Sequence, residues 1–448
     1  MPGSNWRPTA HADDRTDPFA EIAPPLSRDA ALLESSKCLY CYDAPCTMAC
    51  PTHIDVPSFI KKIASGNLRG SARVILDANP MGHSCARACP VEVMCEGACV
   101  LNDRDEEPIK IALLQRHATD FALEKRLRLF EPGVPTGRNV AIIGAGPAGL
   151  SCAQDLRRWG HAVSIFDSRD KPGGLNTYAI AEYKMRPPVA LAEAEMILAL
   201  GVDLRTGVLV GRDVTFASLE KSYDAICVAV GLGAGRTLGI PGESIDGVHE
   251  ALAFIEHLKM NPYSATPVGR RVVVIGAGNT AIDAATQAKR LGAERVTIVY
   301  RRGEEDMPAY HYEYELAKND GCEFRFLTIP KRIVGDSIVT GIECARAELS
   351  QPDAGGRRSP VEIPDSNHII ECDMVIKALG QLPRQDFAEA AGLRVEGGRF
   401  ISTKPNVVVC GDCANGGAEI VNAAAEGKAA AATIHGLLKT FRRTGDKL

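Results

Sequence analysis

Two stretches of the chain, 132 residues apart, follow one pattern and restrict the fold more than any other feature. Asn139 to Ile143 is a short apolar run that opens onto Gly144-Ala145-Gly146-Pro147-Ala148-Gly149. Arg271 to Ile275 opens in the same way onto Gly276-Ala277-Gly278-Asn279-Thr280-Ala281. The first unit continues to Leu156-Arg157-Arg158-Trp159-Gly160 and the second to Ala288-Lys289-Arg290-Leu291-Gly292. A further strand follows each, His161 to Phe166 and Arg295 to Tyr300. Glycine lets the backbone approach a pyrophosphate, which then rests on a helix N-terminus. Strand, glycine turn, helix and strand, written twice, predict two dinucleotide-binding domains. A turn that only redirects the chain is the alternative, and the buried-type strand before each glycine argues against it.

The ends of the second strands differ. The first unit reaches Asp167, where an acid would bind the adenosine ribose hydroxyls. The second reaches Tyr300-Arg301-Arg302. Two guanidiniums there suit a ribose 2′-phosphate and favour NADPH over NADH, against the alternative of a solvated basic loop. Other glycine-terminated strands are Tyr223 to Gly231, Cys372 to Gly380, and Val407-Val408-Val409-Cys410-Gly411-Asp412 before a small-residue helix, Val421 to Ala432. Pro172-Gly173-Gly174-Leu175 follows the first acid closely, and Gln351 to Gly356 reads as a hairpin turn.

This pattern resembles the two-dinucleotide-domain flavoprotein oxidoreductases over about residues 137 to 448. The resemblance implies a Rossmann-like FAD domain interrupted by an NAD(P)H-binding domain. It implies FAD held by Gly144, Gly146, Gly149, Asp167, Gly174, Leu175, Gly411 and Asp412, with Asp412 on the ribityl chain. It implies NAD(P)H held by Gly276, Gly278, Asn279, Thr280, Arg301 and Arg302. Cys410 and Cys413 form a C-x-x-C, but they overlap the Gly-Asp flavin motif, so the spacing reads as coincidence rather than a redox disulfide.

Eight of the 15 cysteines lie between Cys38 and Cys99, in a stretch of helical periodicity. Asp55 is a candidate N-cap before Phe59, Ile60 and Ile63, and Ile111, Leu114, Ala118 and Phe121 form a second stripe. One cysteine group is Cys38-x₂-Cys41-x₄-Cys46-x₃-Cys50-Pro51; the other is Cys85-x₃-Cys89-Pro90-x₄-Cys95-x₃-Cys99. Thiolates bind soft metals. Structural zinc usually shows close cysteine pairs separated by a longer insert. Four cysteines within thirteen residues, with a proline after the last, point instead to iron–sulfur clusters. Zinc and free thiols are the alternatives.

Clusters joined to such a flavoprotein resemble the glutamate synthase small-subunit-like family, and within it the small subunit of bacterial dihydropyrimidine dehydrogenase. By that resemblance Cys38, Cys41, Cys46 and Cys99 hold one [4Fe–4S] cluster, and Cys50, Cys89 and Cys95 hold a second, leaving Cys85 unliganded. The pyrimidine enzyme has a glutamine ligand sixteen residues after the last cysteine, and Gln115 stands there. Cys85 is the competing ligand. Ile180-Ala181-Glu182-Tyr183-Lys184-Met185-Arg186-Pro187 departs from the pyrimidine pattern, with Lys184 in the place of a flavin-site arginine. A lysine also occurs in glutamate-synthase-type relatives.

The resemblance implies an electron-input subunit that oxidises NAD(P)H through FAD and two [4Fe–4S] clusters. Its partner would be a large FMN and iron–sulfur subunit that reduces uracil or thymine to the 5,6-dihydro form. The small subunit of NADPH-dependent glutamate synthase is the alternative, and a zinc-stapled interaction domain on a simple flavin reductase is a third reading. The chain has no H-E-x-x-H, G-x-S-x-G or other acid–base set for a substrate, so no catalytic residue is assigned to one.

The 448 residues allow an expected division into a polar arm and helical cluster domain (1–136), a flavin domain (137–249 and 376–448) and an inserted nicotinamide domain (250–375). A net charge of −5 gives no footprint for nucleic acid or an anionic membrane. There is no apolar run of about 20 residues and no signal-peptide stretch, so a cytoplasmic hetero-oligomer is expected.

Overall fold

The computed structural model describes residues 17 to 440, apart from Ala354 and Arg357. The expected absence of a signal peptide, and most of the polar arm, lie outside the described residues. From Asp17 onward the arm is strapped down: Phe19 is fully buried against Tyr183, Leu258 and Leu316, and Ile22 N–H donates to the Tyr183 carbonyl at 3.1 Å.

Short helices build the first module. Val56–Ala64 starts at Asp55, whose carboxylate accepts from Ser58 N–H at 3.1 Å and so satisfies an otherwise orphaned donor of the first turn. Its buried face is Val56, Phe59, Ile60 and Ile63. Asn67 caps Leu68–Ala78 in the same way, accepting from Gly70 N–H at 2.9 Å. In Ile111–Glu124 the buried stripe is Ile111, Leu114, Ala118 and Ala122. Phe121, expected on that stripe, is only half-buried because Ala122 takes the inner position. The helical core continues into that of the next module, with Phe59, Ile75 and Leu114 in one apolar cluster with Val140, Leu150 and Ile165. A fully buried side chain of this kind contributes about 1.5–3 kcal/mol, so the two modules share one stabilising interior.

Two five-stranded parallel sheets repeat one layout. The first runs Val407–Val409, Ala225–Val228, Asn139–Ile143, Ala162–Phe166, Asp203–Arg205. The second runs Val248–Glu250, Met374–Lys377, Arg271–Ile275, Arg295–Val299, Glu323–Arg325. All five strands of the second sheet lie in sequence between Ala225–Val228 and Val407–Val409, so the second module is inserted into the first. The expected joins at 249/250 and 375/376 each cut a strand that is laddered into the second sheet. The module's limits are therefore Val248 and Lys377 or beyond, since a strand needs its neighbour's hydrogen bonds.

An antiparallel patch lies in sequence between Glu323–Arg325 and Met374–Lys377, and within it Gly341–Leu349 pairs with Pro360–Glu362 in register Leu349↔Pro360. Part of the expected hairpin turn lies outside the described residues. Among the described residues no helix is long and apolar enough to cross a membrane.

Candidate functional site

The carboxyl ends of the first sheet form a glycine-lined cradle. Asn139–Ile143 ends at Gly144, whose φ of +107° and 2.2 Å approach of a built Cβ to the Ala229 carbonyl leave no room for a side chain. The helix Pro147–Arg158 starts with proline in its first turn, where the missing N–H removes no helical bond. At Gly146, between them, a Cβ would meet only the Gly174 Cα, at 3.9 Å, so the backbone there is open to a ligand. Gly149 closes the helix onto the turn, its Cβ position 2.0 Å from the Gly144 carbonyl. Asp167, at the end of Ala162–Phe166, accepts from Ala145 N–H at 2.6 Å and Arg169 N–H at 2.8 Å. The acid expected at the ribose thus also shapes the turn.

Gly174 and Leu175 begin the short helix Leu175–Tyr178 beside Gly146, and Leu175 is exposed. Gly411 reaches the same place from the chain's other end. Its N–H donates to Glu426 at 2.7 Å and its Cβ position is 2.9 Å from the Ala148 Cβ. Burial raises the Asp412 carboxyl, with the Glu419 and Glu426 charges acting the same way. An open glycine backbone at a helix N-terminus is the donor set that FAD requires. The Cys410 thiol lies 3.4 Å from Cys227, Cys413 donates to the Cys410 carbonyl at 3.3 Å, and both are free thiols in this structure.

The second sheet offers a matching turn. A Cβ on Gly278 would meet only Pro308 Cγ, at 3.9 Å, and the helix Asn279–Arg290 starts there. Asn279 accepts from Tyr310 N–H at 3.1 Å, fixing the far loop, and Thr280 lies half-buried beside it. Gly276 ends the preceding strand with its Cβ position 2.3 Å from the Ala378 carbonyl. Arg301 is exposed with no ion pair among the described residues. Arg302 has a buried Nε without a hydrogen-bond partner, a donor suited to an incoming anion.

Lys184 is buried where the modules meet. Its Nζ is 2.7 Å from Asp283 and 2.5 Å from Glu313, both on the inserted module. Burial works against the ammonium, but the two carboxylates outweigh it and hold Lys184 above its ordinary range. Asp283 and Glu313 were not identified from the sequence. The legible signal for Asp283 was a charge inside the small apolar run Ala281-Ile282-Asp283-Ala284-Ala285.

The cysteines form two neighbouring groups. Cys38, Cys41, Cys46 and Cys99 line one cavity, closed by Val56 and Leu101. Burial pushes the Cys46 thiol up to about 11, with Cys99 and Cys38 beside it. Deeper in, the Cys89 thiol is held well above its ordinary range by a hydrogen bond with Cys85, then by burial and by Cys95 and Cys50 nearby. Cys85, expected to stay unliganded, therefore sits within the inner group. Gln115 is buried on Ile111–Glu124; its Nε2 donates to the Gly82 carbonyl at 2.6 Å and its Oε1 accepts no hydrogen bond among the described residues. Glu193 holds the start of the helix Gly82–Ala88, accepting from His83 N–H at 2.7 Å and Ser84 N–H at 3.2 Å. Among the described residues no three Cys, His, Asp or Glu stand at the spacing of a single ion. A thiol-rich donor set on partly buried turns has the chemistry that iron–sulfur clusters require.

Comparison with known proteins assigns both halves. Residues 15–127 match the family described as dihydropyrimidine dehydrogenase domain II, 4Fe-4S cluster. Residues 138–427 match the pyridine nucleotide-disulphide oxidoreductases. The glutamate synthase [NADPH] small chain of Escherichia coli is 34% identical over 438 residues, covering 92% of each chain. The NADPH-Fe(3+) oxidoreductase subunit beta of Geobacter sulfurreducens is 35% identical over 353 residues, covering 77% of this chain and 52% of its own. Among solved structures, the FprA oxidoreductase of Mycobacterium tuberculosis superimposes with a TM-score of 0.58 at 22% identity, over 67% of this chain and 85% of its own, a likeness of fold alone. The relatives favour the glutamate synthase alternative over the pyrimidine branch. The chain belongs to the glutamate synthase small-subunit-like family: it is an NAD(P)H-dependent oxidoreductase with a 4Fe-4S domain in front of an FAD- and NAD(P)-binding module.

Proposed function

We propose that this chain is the NADPH-oxidising subunit of a glutamate-synthase-type complex, passing electrons through two [4Fe–4S] clusters to a large partner subunit. The observation that carries this reading is the end-to-end similarity to a glutamate synthase small chain, 92% of both chains at 34% identity. The unpaired guanidiniums at Arg301 and Arg302 support NADPH as the donor.

The chain's own part is positional. The Gly144–Gly149 turn and the Pro147–Arg158 N-terminus would hold the FAD pyrophosphate, and Gly276, Gly278, Asn279 and Thr280 the nicotinamide dinucleotide. Bound flavin supplies the exchange of a hydride for single electrons, and the clusters supply one-electron carriage. Cys50, Cys89, Cys95 and Gln115 would hold the inner cluster, and Cys38, Cys41, Cys46 and Cys99 the outer one. Exposed Leu39, Tyr42 and Met48 surround the outer group, apolar surface that a partner would cover.

The test is reconstitution. NADPH oxidation that requires the large subunit, glutamine and 2-oxoglutarate supports the reading. A partner with FMN that reduces uracil or thymine supports a second reading, favoured by Gln115 and by the family matched at residues 15–127.

A further inference from the structure

A buried cluster of charges joins the flavin module to the inserted one. Lys184 comes from the flavin module, and Asp283, Tyr312 and Glu313 from the inserted one. Tyr183 donates to Asp283 at 2.8 Å and Tyr312 donates to Glu313 at 2.9 Å. One ammonium therefore faces two carboxylates, leaving one negative charge in excess. Such an excess in a low-dielectric interior is costly, and one bound proton removes it. Glu313 offers the place: its Oε2 is buried and has no hydrogen-bond partner. Burial holds the Glu313 carboxyl above its ordinary range, although Lys184 pulls it the other way.

The cluster reaches toward the flavin motif through Tyr312, whose ring stacks on that of Tyr310 at 6.2 Å. Tyr310, close enough to Glu313 and Cys89 to feel their charges, donates to Glu419 at 2.7 Å, and the Glu419 charge reaches Asp412. On the far side is Glu92, between Cys89 and Cys95 on the cysteine-bearing module, with part of its surface in solvent. Glu92 and Glu313 are near enough for their charges to act on each other. The remaining groups turned toward the cluster are Tyr183, the Arg290 guanidinium, 4.5 Å over the Tyr183 ring and itself paired with Asp320, and the buried Lys259, which feels the Asp283 charge and is paired with Glu182. Each of these two cations brings its own carboxylate, so the excess stands.

Hydride transfer from NADPH carries two electrons and one proton and leaves NADP⁺. Two electrons then pass singly to iron–sulfur acceptors, and the proton cannot follow them. We infer that Glu313 takes up this proton at Oε2 and that Glu92 returns it to solvent, with Lys184, Asp283 and Tyr312 positioning the acceptor. NADPH is the reductant and the iron–sulfur acceptors gain both electrons, so electrons and protons balance. The inference rests on the reading of the chain as a flavin-linked NADPH oxidoreductase.

Infrared difference spectroscopy of the holoprotein tests it. NADPH serves as reductant, because dithionite gives electrons without the hydride whose proton is followed; reduction by dithionite where NADPH reduces nothing would count against the functional reading instead. The expected result is a carboxylic-acid carbonyl band that changes on reduction, is lost completely in Glu313→Gln and returns in Glu313→Asp. A wild-type spectrum without such a band, or a band that survives in Glu313→Gln, overturns the inference. Should that variant fail to fold, Tyr312→Phe removes only the hydroxyl bond to Glu313 and must shift the band; an unmoved band also overturns it.

Discussion

Gly146 and Gly174 meet backbone to backbone: a Cβ on Gly174 would stand 2.8 Å from the Gly146 Cα. Gly174 also has φ +54°, so a side chain there strains its own backbone as it presses on the cradle. Such strain costs about 1–3 kcal/mol. Gly174→Ala is expected to fold and to lose about tenfold or more in FAD affinity, read as flavin per protein after gel filtration. Wild-type flavin retention would remove Gly174 from the cradle.

Arg301 and Arg302 are the proposed site of the NADPH 2′-phosphate. A charge-assisted hydrogen bond contributes about 1.5–3 kcal/mol, and each 1.4 kcal/mol is about tenfold. Arg301→Ala and Arg302→Ala should therefore raise KM for NADPH about tenfold or more while leaving KM for NADH near its starting value. Equal losses for both donors would refute the 2′-phosphate assignment.

The inner cysteine group has two rivals for its fourth ligand. Gln115 has an amide nitrogen fixed by Gly82 and an uncommitted oxygen, while Cys85 is hydrogen-bonded to Cys89. Gln115→Ala is expected to disturb the electron paramagnetic resonance spectrum of one cluster, and Cys85→Ser to keep full iron content. The reverse pattern would give the ligand role to Cys85.

Glu193 makes stability fall as pH rises. Burial raises its carboxyl to about 7, against the pull of hydrogen bonds from Ser84 and His83. The folded state then binds more protons than the unfolded state between the ordinary glutamate range and about pH 7, so unfolding free energy decreases across that window. Glu193→Gln should flatten this decline in urea-unfolding midpoints. An unchanged slope would place the titration elsewhere.

Much of this architecture was legible because glycine and cysteine patterns are local. The turns at Gly144 and Gly276 announce themselves by what must follow a strand, and Asp55 announces its helix by the apolar face behind it. The Lys184–Asp283–Glu313 cluster was not legible, since its members are far apart in sequence and meet only when the inserted module folds back. The module joins were misplaced for a related reason: Val248–Glu250 is a short strand whose identity comes from its ladder with Met374–Lys377. Phe121 yields to Ala122 because the helix face turned inward is set by the neighbours it packs on. The choice of partner is hardest to read, because this sequence carries no acid–base set for a substrate that would name it.

The most direct test of the central claim is an anaerobic NADPH titration of the purified chain with flavin and iron counted beforehand. The expected result is one FAD and about eight irons per chain, as two four-iron clusters require, and loss of the flavin absorbance on adding NADPH. Zinc in place of iron, or a flavin that NADPH leaves oxidised, would contradict it.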